Sequence, residues 1–81
     1  MRVHVKLFAV ARQRIGRDSI EVDLPTDPTI GYLRVAIAEQ YPPLAKLLPH
    51  SRFAIDSDYA SDAAFVSANT DIAIIPPVSG G

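Results

Sequence analysis

Ile72-Ala73-Ile74-Ile75-Pro76-Pro77-Val78-Ser79-Gly80-Gly81 ends the chain, and its reading governs everything upstream. An apolar run of strand type meets two consecutive prolines, through which a hydrogen-bonded ladder cannot continue. Proline has no backbone N–H, holds φ near about −65° and disfavours helix in the residue before it, so the chain stays extended from Ile75 onward. The expected product is a strand followed by a projecting, flexible tail over 76–81. Gly80 and Gly81 carry no Cβ, so the last stretch of backbone fits a channel too narrow for side chains and presents only the α-carboxylate. Terminal residues are ordinarily frayed and without meaning. Two glycines at a terminus arise by chance in only about 0.5% of chains, given an average glycine content of roughly 7%, so the tail reads as a device.

Working outward, composition sets what the tail is attached to. Eighty-one residues make one small domain, 1–81, which buries only about 60–65% of its unfolded surface, so a deep enclosed active site is not expected. An apolar fraction of 48% with 21% charged residues is that of an ordinary folded protein. No apolar run reaches membrane-span length and the first residues alternate basic with apolar, unlike a signal peptide, so a cytoplasmic location is expected. The chain has no cysteine, which excludes disulfides, thiolate catalysis, cysteine-held iron–sulfur clusters and storage of sulfur as a persulfide. A net charge of −1 argues against general nucleic-acid binding. Arg2, Lys6, Arg12, Arg14 and Arg17 all precede the first acid, Asp18, and form either a solvated face or a patch that meets an acidic partner.

The first segment has the period of a half-buried strand: Val3, Val5, Leu7 and Ala9 alternate with Arg2, His4, Lys6, Phe8 and Val10. Phe8 then points away from the core, either covered by a following helical turn or exposed. Ala11 to Ile15 can make about one turn of helix, with Gly16 in the left-handed position that ends it. Ile20, Val22 and Leu24 alternate with Ser19, Glu21 and Asp23 in a second strand, which the short connection pairs antiparallel with the first.

Thr29 is the expected N-cap of a helix over about Ile30 to Gln40, with Ile30, Leu33, Ile37 and Tyr41 on one face and Pro42-Pro43 beyond its end. Gly31 weakens the first turn by up to about 1 kcal/mol relative to alanine. Leu44 to Leu48 reads as an apolar link of about one helical turn that covers the open end of the core. Phe53 and Ile55 alternate with Arg52, Ala54 and Asp56 in a third strand, followed by a turn at Ser57-Asp58 and a short edge strand about Tyr59. Asn69-Thr70-Asp71 leads into the last strand, with Asn69 able to take positive φ. The expected core is Val3, Val5, Leu7, Ile20, Val22, Leu33, Ile37, Phe53, Ile55, Ile72 and Ile74.

Little of the chain offers chemistry. His4 and His50 are isolated imidazoles without a third ligand, so no metal site is expected. Asp56, Asp58 and Asp62 lack the glycine and terminal glutamate of a calcium loop. Ser79 has no nearby base, and no glycine-rich loop precedes a helix to cradle a phosphate. What remains reactive is the carboxylate of Gly81, a poor electrophile until activated, since its ordinary pKa lies at about 3.3–3.7.

Ile74 to Gly81 resembles the terminus of the small subunit of molybdopterin synthase, a sulfur carrier of the ubiquitin-like β-grasp family. Leu7-Phe8-Ala9 with Arg12, Gly16, the Tyr41-Pro42 helix end and the chain length agree with that family. Asp56-Ser57-Asp58 stands where the family has Asn-Gly, and Asn69-Thr70-Asp71 where it has Gly-Asp. The resemblance implies an α+β, ubiquitin-like β-grasp fold, a mixed sheet of four or five strands packed on one main helix with short extra helical turns. The first and last strands would then be neighbours, setting Phe8 beside Ile75.

The resemblance further implies that a separate ATP-dependent enzyme adenylates Gly81, that a sulfur donor displaces AMP to leave a thiocarboxylate, and that the tail inserts into the large synthase subunit to supply dithiolene sulfur. Gly80 would thread the channel. Phe8, Ile75, Pro76, Pro77, Val78 and Ser79 would meet the large subunit with Arg12 at the rim, in a heterotetramer of two large and two small subunits. The chain itself would bind no cofactor and do no catalysis alone. Two other readings stay open: a carrier or ubiquitin-like modifier of another pathway, such as thiamine synthesis or protein conjugation, and a passive β-grasp binding module for which the last two residues are dispensable.

Overall fold

β1 (Arg2–Leu7) shows the expected alternation, with Val3, Val5 and Leu7 buried and Arg2, His4 and Lys6 exposed. The computed structural model describes residues 1–77; Val78, Ser79, Gly80 and Gly81 lie outside the described residues. After β1 come α1 (Ala9–Ile15), β2 (Ser19–Asp23), α2 (Ile30–Gln40), two 3₁₀ turns at Pro42–Leu44 and Leu48–His50, then β3 (Arg52–Ile55), β4 (Asp58–Ala60) and β5 (Ile72–Ile75). The five strands form one mixed sheet in the order β2-β1-β5-β3-β4. β1 and β5 are parallel at its centre, with Leu7 beside Ile74, and the other pairs are antiparallel. This is the α+β, β-grasp arrangement that the tail led us to expect.

One face of the sheet packs on α2. Val3, Val5, Leu7, Ile20, Val22, Phe53, Ile72 and Ile74 meet Ile30, Leu33, Ala36 and Ile37 in a single core. Ile55, expected there, is only partly buried, because it sits at the last position of β3 beside the turn. Leu44 and Leu48, one on each 3₁₀ turn, are buried and close the core's open end.

The start of α2 explains Gly31. Four helix-start N–H groups lack partners within a helix. Here Ile30 N donates to Ala64 O at 2.9 Å, Gly31 N to Asp62 O at 2.9 Å and Tyr32 N to Thr29 Oγ1 at 3.2 Å, and the helix's own ladder begins with Leu33 N on Thr29 O at 2.9 Å. The 62–64 loop thus lies against the helix start, and a Cβ on Gly31 would stand 3.3 Å from Asp62 O. The low helix propensity of glycine is offset by this close approach.

Local expectations are corrected at several points. β1 stops at Leu7 because Ala9, at φ 51°, turns the chain into α1, so Ala9 and Val10 belong to the helix and not to the strand. The helix is correspondingly longer than the Ala11 to Ile15 expected, and Gly16 ends it at φ 80° with its N–H on Arg12 O at 2.8 Å. The β3–β4 turn is Asp56-Ser57, one residue earlier than Ser57-Asp58, with φ of 50° and 74°. Positive φ at both central residues is the geometry whose twist matches two flanking strands. Ala54 is buried although it lies on the outer face, where it pairs with Ala73 and Tyr59. Asn69 has no positive φ; the turn there is closed by Thr70, whose hydroxyl donates to Ser67 O at 2.8 Å.

Candidate functional site

The last described residues leave the middle of the sheet, not its edge. β5 lies between β1 and β3, and its final pair sets Ile75 opposite Arg52. Parity does the rest: Ile72 and Ile74 point into the core, so Ala73 and Ile75 fall on the outer face, which no helix covers. Pro76 is buried and Pro77 exposed. Of the tail expected over 76–81, the described residues are Pro76 and Pro77.

Two grooves flank Pro76-Pro77. One is lined by Phe8, Ala9, Val10, Gln13 and Ile75, the other by His50, Arg52, Tyr59 and Ile75. Phe8 is the residue before α1, extended at φ −129° and ψ 157°, and is 47% exposed. The turn at Ala9 carries α1 away from it, so the helix does not cover the ring. Phe8 also borders a third hollow, over Lys6, Ala54, Ala73 and Ile75. The outer face at the tail end is therefore apolar at its centre, from Phe8 across Ile75, Ala73 and Ala54 to Tyr59.

Phe8, Ile75, Pro76 and Pro77 are thus brought to one end of the molecule. Arg12 stands on the far side of Phe8, exposed and 3.7 Å from Asp18. Val78, Ser79, Gly80 and Gly81 lie outside the described residues. Sequence reasoning missed Tyr59, Arg52 and His50. Tyr59 had been placed on an edge strand, but only the order β5-β3-β4 reveals that this edge borders the tail. Arg52 lies over the Tyr59 ring at 5.2 Å, a cation–π contact that holds both side chains across the β3–β4 pair.

The basic N-terminal stretch does not form one patch. Arg2 sits at the opposite end of β1, bonded to Asp23 at 2.9 Å and Glu21 at 3.3 Å, and the Asp23 hydrogen bond raises its pKa. Arg14 donates to Pro43 O at 3.4 Å. Lys6 and Arg12 remain near Phe8. His4 lies 3.8 Å from Glu21, away from His50 beside the tail. Among the described residues no three His, Cys, Asp or Glu side chains gather as a metal site would require, and no helix is long and apolar enough to cross a membrane.

Residues 5–81 match the ThiS family. A "Molybdopterin synthase sulfur carrier subunit" of Dictyostelium discoideum is 38% identical over 80 residues, covering 95% of this chain and 93% of that protein. Its namesake in Caenorhabditis briggsae is 37% identical over 81 residues, covering 98% and 96%. In structure, SAMP1 from Haloferax volcanii superposes with a TM-score of 0.84 at 26% identity over the full length of both chains. A chain from the complex of subunits 1 and 2 of Molybdopterin-converting factor from Helicobacter pylori shares the fold, with a TM-score of 0.67 at 21% identity over both full lengths. With both its sequence and its central-strand tail accounted for, the chain belongs to the ThiS family, among relatives that are molybdopterin synthase sulfur carrier subunits.

Proposed function

We propose that this protein carries sulfur on Gly81 for molybdopterin synthesis and docks on the large synthase subunit through the outer sheet face at the tail end. The observation that carries the docking is the placement of β5: a central strand runs straight toward the tail between Phe8 on one side and Tyr59 on the other. Family membership carries the chemistry. A tail anchored in the middle of a five-stranded sheet has a fixed origin, so a partner that closes on the apolar face receives the carboxylate at a set depth.

In this reading a separate enzyme loads the tail. A carboxylate oxygen of Gly81 attacks the α-phosphorus of ATP and pyrophosphate leaves, which gives an acyl-adenylate. Sulfide-level sulfur from a donor adds to that acyl carbon, the acyl–phosphate bond breaks and AMP leaves, so the terminus becomes a thiocarboxylate without any change of oxidation state. In the large subunit the sulfur moves to the pterin precursor, and water returns Gly81 to a carboxylate. A dithiolene holds two sulfurs, so two loaded tails are consumed for each product, which suits an assembly of two large and two small subunits. The chain needs no cofactor of its own for these steps.

The likeness to SAMP1 keeps a second reading in view, in which a lysine amine takes the activated Gly81 as an isopeptide. The Pro-Pro-Val-Ser segment and the named relatives favour the first. The test compares wild type with a Gly81 deletion and Gly80→Val, each incubated with activating enzyme, ATP and sulfur donor. Wild type gains the oxygen-to-sulfur mass difference and supports molybdopterin formation with the large subunit. The deletion draws the carboxylate back by about 3.3–3.6 Å, and Gly80→Val adds a branched Cβ inside the channel, so both fail while melting like wild type. A deletion that transfers sulfur at the normal rate would return the passive binding module. Adducts on other proteins' lysines, without molybdopterin, would favour the modifier.

A further inference from the structure

The ionisable groups of the open sheet face are sorted along the strands. β1 and β5 both run toward the tail, so their last residues share one end with the first residues of β2 and β3. Lys6 lies opposite Ser19 and Ala73, and Arg52 opposite Ile75. Arg12 follows on α1, and His50 precedes β3. Against these four stands Asp18, 3.7 Å from Arg12, while Lys6 and Arg52 have no carboxylate partner among the described residues.

The other end is acidic. Asp23 pairs in register with Arg2, and Glu21 shares that arginine. Asp56 and Asp58 bracket the β3–β4 turn, and Asp71 is tied to Asp56 by Asp56 N to Asp71 O at 2.8 Å and Asp71 N to Asp56 Oδ1 at 3.0 Å. The fold therefore draws cations from β1, α1 and β3 toward the tail and sets acids from β2, the turn and the β5 approach toward the far end, with Asp71 bordering the same hollow as Lys6.

We infer that this polarity turns the protein tail-first on approach, and that the rim beside the tail, Lys6 and Arg52 above all, meets acidic side chains on the protein that receives the tail. The inference rests on the docking reading above and adds the chemistry of the partner surface. A phosphate-bearing small molecule is the rival occupant, and reach argues against it. The proposed docking delivers Gly81 into a channel of the partner, up to about 13–14 Å of chain beyond Pro77, so a phosphate bound beside Gly81 belongs to that channel and not to the rim at Arg52. Exposed ion pairs add little affinity; their effect is on encounter rate and orientation, and salt screens it.

The test measures association with the large subunit by stopped flow over a range of ionic strength. Arg52→Gln and Lys6→Gln are compared with Val35→Glu, which makes the same one-unit change in net charge at a residue 55% exposed on the outward side of α2. Each rim variant should associate roughly three- to tenfold more slowly at low salt, with the gap closing as salt rises and dissociation hardly altered. Val35→Glu should stay near wild type. Equal rates for Arg52→Gln, Lys6→Gln and Val35→Glu, or a gap that ignores salt, would overturn the inference. Phe8→Ala run alongside separates the failures. If it weakens the complex while the rim variants associate normally, docking stands and the charge reading falls; if neither it nor the rim variants change association, both fall.

Discussion

At the scale of single residues, the decisive feature is the pair Phe8-Ala9. Ala9 adopts φ 51°, a left-handed conformation in which Cβ crowds the following carbonyl. That bend ends β1, starts α1 and leaves Phe8 half in water beside Ile75. Strained backbone and an exposed aromatic ring thus coincide where the docking face is proposed, and both oppose stability of the isolated chain. Ala9→Gly should relieve the strain, raising unfolding stability by about 0.5–1 kcal/mol after glycine's greater freedom in the unfolded chain is counted. A urea titration decides it: an unchanged or lower midpoint would mean that the bend costs nothing.

At the scale of elements, the β3–β4 hairpin shows the same conflict between residue and backbone. Asp56 and Ser57 occupy the two positive-φ positions of a two-residue turn, where Asn-Gly is the preferred pair. Asp56 has a compensating role, since its carboxylate accepts from Asp71 N at 3.0 Å and fastens the turn to the start of β5. Ser57, at φ 74°, makes no such side-chain bond among the described residues. Ser57→Gly is therefore expected to stabilise the protein by about 1 kcal/mol, seen as a higher melting temperature with unchanged sulfur transfer. A fall in melting temperature would show that the serine side chain holds the turn in a way the geometry does not reveal.

Across the whole molecule, Arg34 is the cross-tie. Its guanidinium donates to Leu48 O and Ser51 O, bonds Asp62 at 2.8 Å and lies 5.0 Å over the Phe53 ring, with the side chain 21% exposed. One side chain thereby joins α2, the turn before β3 and the loop that caps the start of α2. Arg34→Leu keeps the aliphatic packing and leaves the Leu48 and Ser51 carbonyls without this donor. We expect a loss of about 2–3 kcal/mol in chemical denaturation, from charged hydrogen bonds to partly buried acceptors. Stability within about 0.5 kcal/mol of wild type would reduce Arg34 to a surface residue.

The sequence by itself determined the class of fold and the strand and helix periods, and it singled out the terminal Gly-Gly on which the proposed chemistry rests. Period-two alternation in Val3, Val5 and Leu7, the Thr29 cap, and the Pro-Pro stop are local properties, written in neighbouring residues and legible without coordinates. Tertiary structure alone decided which residues stand beside the tail. Arg52, Tyr59 and His50 lie far from Phe8 in sequence and reach the same site only because β5 inserts between β1 and β3, a non-local pairing that no window of sequence contains. The surroundings of Gly31 and Ala54 are non-local for a related reason: the 62–64 loop and the flanking strands settle them, and neither is a neighbour along the chain. The charge polarity of the sheet has that origin too, since strand direction, and not order in the chain, sends Arg2 to the acidic end and Arg52 to the tail.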